Sequence, residues 1–259
     1  MDLFPIVLFV LFFLGLLFVL LLTKEEFPKW VYCIMITGKD DNRIQLAKQS
    51  VRNFLEQDYK YKKLIIINHH EKSINMESDN VFEFQVPKKG NTLGDLRNIA
   101  LQLVPIDAIW TVWDDDDYRS PNYLSLLYSQ MKRYNVDVVC FTNRYEYNAN
   151  TNFVWEMSLL TGFVTVFAKQ DLRIRYLEKD SMEDLNLIDD FKKLKKKILI
   201  YNNDPSIYIR LVHSNNTSQY VEKNKTTTNQ ISSNSGYLEK QVDNVTRERV
   251  ITIMGGAHF

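Results

Sequence analysis

The chain has almost no cysteine, no excess of either charge and no glycine-rich phosphate loop near its start, and each lack removes a class of function. Its two cysteines, Cys33 and Cys140, each sit inside a strand-like apolar run. Two buried thiols supply neither a disulfide framework nor a metal knuckle. The 32 basic side chains balance 32 acidic ones, so nothing points to a nucleic-acid partner drawn in by bulk electrostatics. A nucleotidyltransferase would carry a glycine-rich loop with a lysine beside its first strand. An aspartyl phosphatase would carry a nucleophilic D-x-D at the end of that strand. Neither motif is there, and no internal repeat is found. With 259 residues, 25% charged and 45% hydrophobic, the chain suffices for one sizeable domain.

What is present begins with an uncharged run, Leu3 to Leu22. About 20 residues at roughly 1.5 Å each span about 30 Å, the thickness of a bilayer core. A cleavable signal peptide fits poorly, because no basic stretch precedes the run and no small-x-small site follows it. A membrane anchor is therefore expected over residues 1–23, followed by a spacer over 24–30. Lys24 and Lys29 after the run tilt the basic count toward a cytosolic domain. Four sequons, at Asn215, Asn216, Asn224 and Asn244, matter only on the lumenal side. The side of the membrane stays open.

Beyond the spacer, strand and helix patterns alternate. "VYCIMIT" (31–37), "KLIIIN" (63–68), "VFEFQV" (81–86), "AIWTVW" (108–113) and "VDVVCF" (136–141) are apolar, β-rich runs, hence strands. Between them Ile44, Ala47, Val51, Phe54 and Leu55 fall at helical spacing behind a capping Asp40 or Asp41. Leu93, Leu96, Ala100 and Leu103 do the same, as do Leu124, Leu127, Tyr128 and Met131 after Ser120-Pro121. This repetition argues for an α/β fold with a mostly parallel sheet flanked by helices. "TGFVTVFA", "ILIYN" and "SIYIRLV" read as later strands. Residues 221–259 read as a polar linker and tail, in which "VITIMGGAHF" is expected to form one more strand.

The run Asp114–Asp117 follows the fourth apolar strand directly. Four adjacent carboxylates repel one another. A solvated cap needs only one or two of them, whereas a hard divalent cation offsets the repulsion and completes its shell with substrate phosphates. Paired carboxylates for metal-free acid–base chemistry are the remaining use. In such sheets ligands bind beyond the carboxyl ends of the strands, which is where these aspartates lie.

This strand, the D-x-D-D run and the proline behind it resemble the metal-binding turn of GT-A-fold glycosyltransferases, in particular family 2. Other segments resemble the same family in order: the opening from Val31 to Asn68 with its "Q-x-Y" turn, "GNTLGDLRNIAL", "SMEDLNL" and "YIRLVHSNNTS". Together they cover about Val31 to Ser218, a domain of 31–220. The resemblance implies Mn²⁺ or Mg²⁺ held by Asp116, with Asp114 facing the sugar-nucleotide, at its ribose or in the metal shell, and with Asp115 or Asp117 substituting, since a run of four leaves the register open by one. His213 matches a metal or diphosphate contact, against an ordinary half-buried histidine. Arg97 and Asn98 match the donor pocket, against a surface ion pair. Asp184, with Glu183 as alternate, matches the catalytic base, against a helix N-terminus favouring acids. Thr37 and Asp41 fall by the first loop, where helix capping competes for the aspartates. Trp155 falls where acceptor-facing residues occur, with core packing its equal.

One departure stands out. The second strand ends "NHH", where the family commonly has one or two acids for the nucleotide, so Asn68 is left to hydrogen-bond a base edge. His69 and His70 point to opposite faces of a strand and cannot easily serve one ion. The reading is a membrane-anchored, metal-dependent, inverting glycosyltransferase. Its donor is a nucleotide-diphosphate sugar and its acceptor a glycan, lipid or protein hydroxyl. The alternative is an inactive relative acting as a binding scaffold.

Overall fold

The computed structural model describes residues 28–159, 165–213 and 237–256. Strands β1 (Val31–Thr37), β2 (Lys62–Asn68), β3 (Val81–Gln85), β4 (Ile109–Val112), β6 (Val138–Phe141), β9 (Thr165–Lys169) and β10 (Ile198–Ile200) form one seven-stranded sheet. Its order is β10-β6-β9-β4-β1-β2-β3. The pairs β1/β2, β1/β4, β2/β3 and β10/β6 are parallel, and β9 runs antiparallel between β4 and β6. The expected mixed α/β architecture with a mostly parallel sheet is therefore present.

Helices α1 (Asp41–Leu55), α2 (Leu93–Gln102), α3 (Tyr123–Arg133) and α4 (Leu187–Lys193) cover this sheet. A strand turns alternate side chains to opposite faces, and β1 shows it. Cys33 and Met35 join Ile44, Ala47, Val51 and Phe54 of α1 and Leu124 and Leu127 of α3 in one core layer. Ile34 points the other way, into a layer with Leu96 and Ala100 of α2 and Phe191 of α4. Both cysteines are free and buried. Asp40 caps α1, its carboxylate accepting from the Arg43 amide at 2.9 Å. Thr92 and Asp95 close a reciprocal capping box on α2.

A second sheet was not expected. It runs β12-β8-β7-β11-β5, from β5 (Tyr118–Arg119), β7 (Asn143–Asn148), β8 (Phe153–Leu159), β11 (Tyr208–Val212) and β12 (Tyr237–Gln241). Only β7/β11 is parallel in it. Residues 250–256 of the run expected as a final strand are instead the end of α5 (Asn244–Gly256), and the rest of that run lies outside the described residues. Its β-branched residues invite a strand reading, but Val250 and Met254, four apart, are the pair it buries, against Tyr147, Ile209 and Leu211. Asp243 accepts from the Thr246 amide at 2.7 Å and starts the helix.

The uncharged run of residues 3–22 and the sequons at Asn215, Asn216 and Asn224 lie outside the described residues, while Asn244 opens α5. Among the described residues no helix is long and apolar enough to cross a membrane.

Candidate active site

Parallel strands β1, β2 and β4 end on one edge, and the aspartate run leaves β4 there. Its backbone is fixed from below. Ser50 of α1 donates to the Asp114 carbonyl at 3.0 Å and accepts, through its own carbonyl, from the Trp113 indole at 3.2 Å. Arg119 is buried beneath the turn, its guanidinium 4.6 Å from the Trp113 ring centroid and 5.2 Å from that of Tyr208. It donates to the Val112 carbonyl at 3.3 Å.

The four carboxylates then go four ways. Asp114 accepts from Arg97 of α2 at 3.2 Å. Asp115 is fully buried and accepts from the Thr37 hydroxyl at 2.6 Å and from one terminal nitrogen of Arg43. Asp116 takes the other terminal nitrogen of Arg43 and lies 3.1 Å from His213 Nε2, at the end of β11. Asp117 accepts from the Tyr208 hydroxyl at 2.6 Å, while its second oxygen is buried with no hydrogen-bond partner among the described residues. Burial pushes Asp115 and Asp117 above the usual carboxylate range. Asp116 is buried too, but His213 and Arg43 outweigh that and hold it below the range.

These aspartates floor a cavity of about 260 Å³. Asp114, Asp116, Asp117, Asp180, Glu183 and Asp184 line it together with Arg43, Arg97, Arg144 and Arg210. Six carboxylates against four guanidiniums leave the wall short of positive charge. On the second sheet, buried Glu146 accepts from Arg144 Nε at 2.6 Å and from Arg210 at 3.1 Å, which sets both guanidiniums at the cavity.

The segment 177–184 closes the opposite wall. Gly94 lets α2 approach it: the Gly94 amide donates to the Lys179 carbonyl at 3.0 Å, and a Cβ there would fall 1.7 Å from the Leu177 carbonyl oxygen. Met182 has φ of 57°, a left-handed conformation costly for a side chain of this size. Beyond it, Glu183 turns inward onto Arg97. Burial raises its carboxyl, with Arg97 opposing. Asp184 opens on the cavity, and among the described residues its carboxylate makes no direct hydrogen bond or ion pair. Asn186 holds the N-cap position of α4 without a side-chain cap hydrogen bond, and the Asp184 carboxylate supplies none either.

The other expected site residues are placed as follows. Asn98 exchanges hydrogen bonds with the Tyr176 backbone at 2.8 and 3.0 Å, so it pins that loop and is not among the cavity-lining residues. Asn68 is buried, donating to Glu83 at 2.6 Å and accepting from the His70 amide. Gly38, at φ of 110°, presses so close that a Cβ would meet the Asn68 side chain. Asp41 is at the surface, paired with Lys72 at 2.8 Å. Trp155 is buried in the second sheet beside Phe153, 5.5 Å between centroids. The sequence reading missed Arg43, Arg119, Arg144, Arg210, Glu146 and Tyr208. The signal for the arginines was the run itself, since buried carboxylates require partnered cations.

Among the described residues no group of three or more histidine, cysteine or acidic side chains is poised as a metal cage. Asp116 and His213 meet as a pair, and Asp114 is turned toward Arg97. That donor set fits Mg²⁺ or Mn²⁺, which commonly take one or two carboxylates and draw further oxygens from substrate phosphates.

No family model and no curated protein matches the chain. Among solved structures, the crystal structure of S. aureus TarS is similar at 15% identity and a TM-score of 0.49. The match covers 71% of this chain and 37% of that one, so it spans little more than a third of that protein. A likeness this distant carries no argument about activity.

Proposed function

We propose that the protein is a membrane-anchored glycosyltransferase of GT-A type that moves a sugar from a nucleotide-diphosphate donor to a hydroxyl acceptor with inversion. The observation that carries this reading is the pairing of Asp184, which faces the cavity with no direct partner among the described residues, with the aspartate turn on its floor. That arrangement supports a base role over a capping role for Asp184, because the following helix has no side-chain cap hydrogen bond from it or from Asn186 at the N-cap position. Glu183 is less suited, being committed to Arg97.

In this reaction the acceptor oxygen attacks the anomeric carbon and forms the new glycosidic bond. The bond from that carbon to the donor phosphate oxygen breaks, and the diphosphate leaves with its electron pair. Asp184 takes the hydroxyl proton. Of the six carboxylates at the cavity, Asp184 alone has no direct partner among the described residues, and one free base without a free second carboxylate fits a single displacement. Arg43 and Arg97 hold the acids of the floor and wall in place, and Arg144 and Arg210 offer positive charge at the far side. A divalent cation held by Asp116 and His213 would neutralise the leaving diphosphate.

The test is donor hydrolysis over a panel of sugar nucleotides with Mn²⁺. Turnover is expected to vanish in excess chelator and in Asp116→Asn. Full activity in chelator removes the metal from the reading, and no hydrolysis of any donor favours the scaffold alternative.

A further inference from the structure

The amino ends of the same parallel strands form the pole opposite the cavity. Val31, Lys62 and Ile109 start β1, β2 and β4 there. Trp30 and Tyr61 sit at this edge, each 41% exposed, in edge-to-face contact with centroids 5.7 Å apart. Lys63 places its ammonium 5.2 Å from the Trp30 ring centroid and 5.1 Å from that of Phe82, which is 38% exposed. Ile106, before β4, is 69% exposed. Scattered apolar residues on a surface need no explanation, but a contiguous aromatic group threaded by a lysine does.

The place where the chain enters the domain supplies one. The Lys29 carbonyl accepts from the Tyr59 hydroxyl at 2.7 Å, and its amide donates to the Tyr128 hydroxyl at 3.2 Å. The backbone beside Trp30 is thus pinned to the domain at the aromatic edge. Between Leu22, the end of the uncharged run, and Trp30 lie residues 23–29. Even fully extended at about 3.3–3.6 Å each, so short a spacer reaches no more than roughly 25 Å. Charge on this pole is mixed, with exposed Lys29 and Lys60 beside exposed Glu56, Asp58 and Asp107. Attraction to anionic lipid is therefore not the force involved. Amphipathic aromatic rings with a snorkelling lysine suit the headgroup layer of any bilayer.

We infer that the edge bearing Trp30, Tyr61, Lys63 and Phe82 rests in the membrane interface, so that the cavity faces away from the bilayer. This rests on the anchor reading of residues 3–22. Strands of 7 residues rising about 3.3 Å per residue put the cavity roughly 20 Å above the headgroups. The acceptor hydroxyl is then one presented at that height, on a protein or an extended glycan, and not on a lipid headgroup.

Tryptophan fluorescence tests it, because Trp110, Trp113 and Trp155 are buried and Trp30 is the exposed one. The full-length chain is reconstituted in phosphatidylcholine vesicles carrying brominated acyl chains. Emission is expected to fall with bromines roughly 5–10 Å below the headgroups, and Trp30→Phe to abolish the quenching. Adding anionic lipid should change neither result. A dye on Met182→Cys, at the cavity rim, should transfer energy to a headgroup dye far less efficiently than Trp30's edge does. Flotation with the vesicles but quenching by aqueous iodide alone overturns the proposal. Flotation with Trp30 shielded from both quenchers overturns it in favour of a second copy of the chain. Failure to float refutes the anchor itself, a result distinguishable from the other two.

Discussion

Glu183 and Asp184 are chain neighbours whose carboxylates meet opposite surroundings: the first is buried against Arg97, the second opens on the cavity without a direct partner among the described residues. Asp184→Asn should therefore lower turnover by on the order of 10²-fold or more, with donor binding and melting temperature nearly unchanged. Glu183→Gln should do the reverse. It weakens a buried ion pair, costing roughly 2 kcal/mol, and spares the proton acceptor. Steady-state rates and thermal melts of the two variants, side by side, check the assignment. Equal rate losses would remove the distinction.

Arg43 spans Asp115 and Asp116 with its two terminal nitrogens. Arg43→Ala leaves two buried carboxylates short of a cation and should cost about 3 kcal/mol or more in a denaturant titration. Arg43→Lys should recover little, since a point charge cannot serve two carboxylates as a planar fork does. Repulsion among four adjacent carboxylates, taken from sequence alone, argues that Asp116→Asn leaves the fold intact. With Arg43 and His213 on that carboxylate, the substitution is now expected to destabilise it.

Gly94 is held by distance, not by dihedral angle. Gly94→Ala must separate α2 from the backbone at Leu177, which also displaces Glu183 and Asp184. Both stability and turnover should fall, and a shorter side chain is not available to rescue them. A crystal structure of the variant should show the 177–184 segment moved outward.

His69 should set part of the acid limit of stability. Burial, then Lys88, Arg43 and His70, depress its imidazole to about 4. The unfolded chain has an ordinary histidine near 6.5, so it binds the proton first. Stability is whole above roughly pH 6.5 and declines as pH falls toward 4. His69→Gln should flatten that decline in melts taken across the same window.

Much of the first sheet could be read from sequence because its strands are buried on both faces. Val31–Ile36 is apolar throughout, as is Leu64–Ile67 within Lys62–Asn68. The second sheet could not. Asn143–Asn148 is polar at most positions, and its buried Glu146 is tolerated through Arg144 and Arg210, partners that arrive from three-dimensional folding. Site residues fared likewise. The aspartates, Arg97, Glu183 and Asp184 stood out as motifs, whereas Arg43 looked like any helical arginine until the turn was placed over it. Asn98 and Trp155 share motifs or neighbourhoods with site residues, yet they hold a loop and fill a core.

The run Asp114–Asp117 has a genetic consequence. Removing any one of its four residues yields the same shortened protein, because what remains is always three aspartates. The four positions nevertheless answer to Arg97, Thr37 with Arg43, His213 with Arg43, and Tyr208. A chain one residue short must leave one of these partners unanswered. Otherwise it must slide Tyr118 and Arg119 by one place, which turns each side chain to the other side of its strand. The turn accepts substitutions one at a time with separate penalties, but it has no neutral deletion.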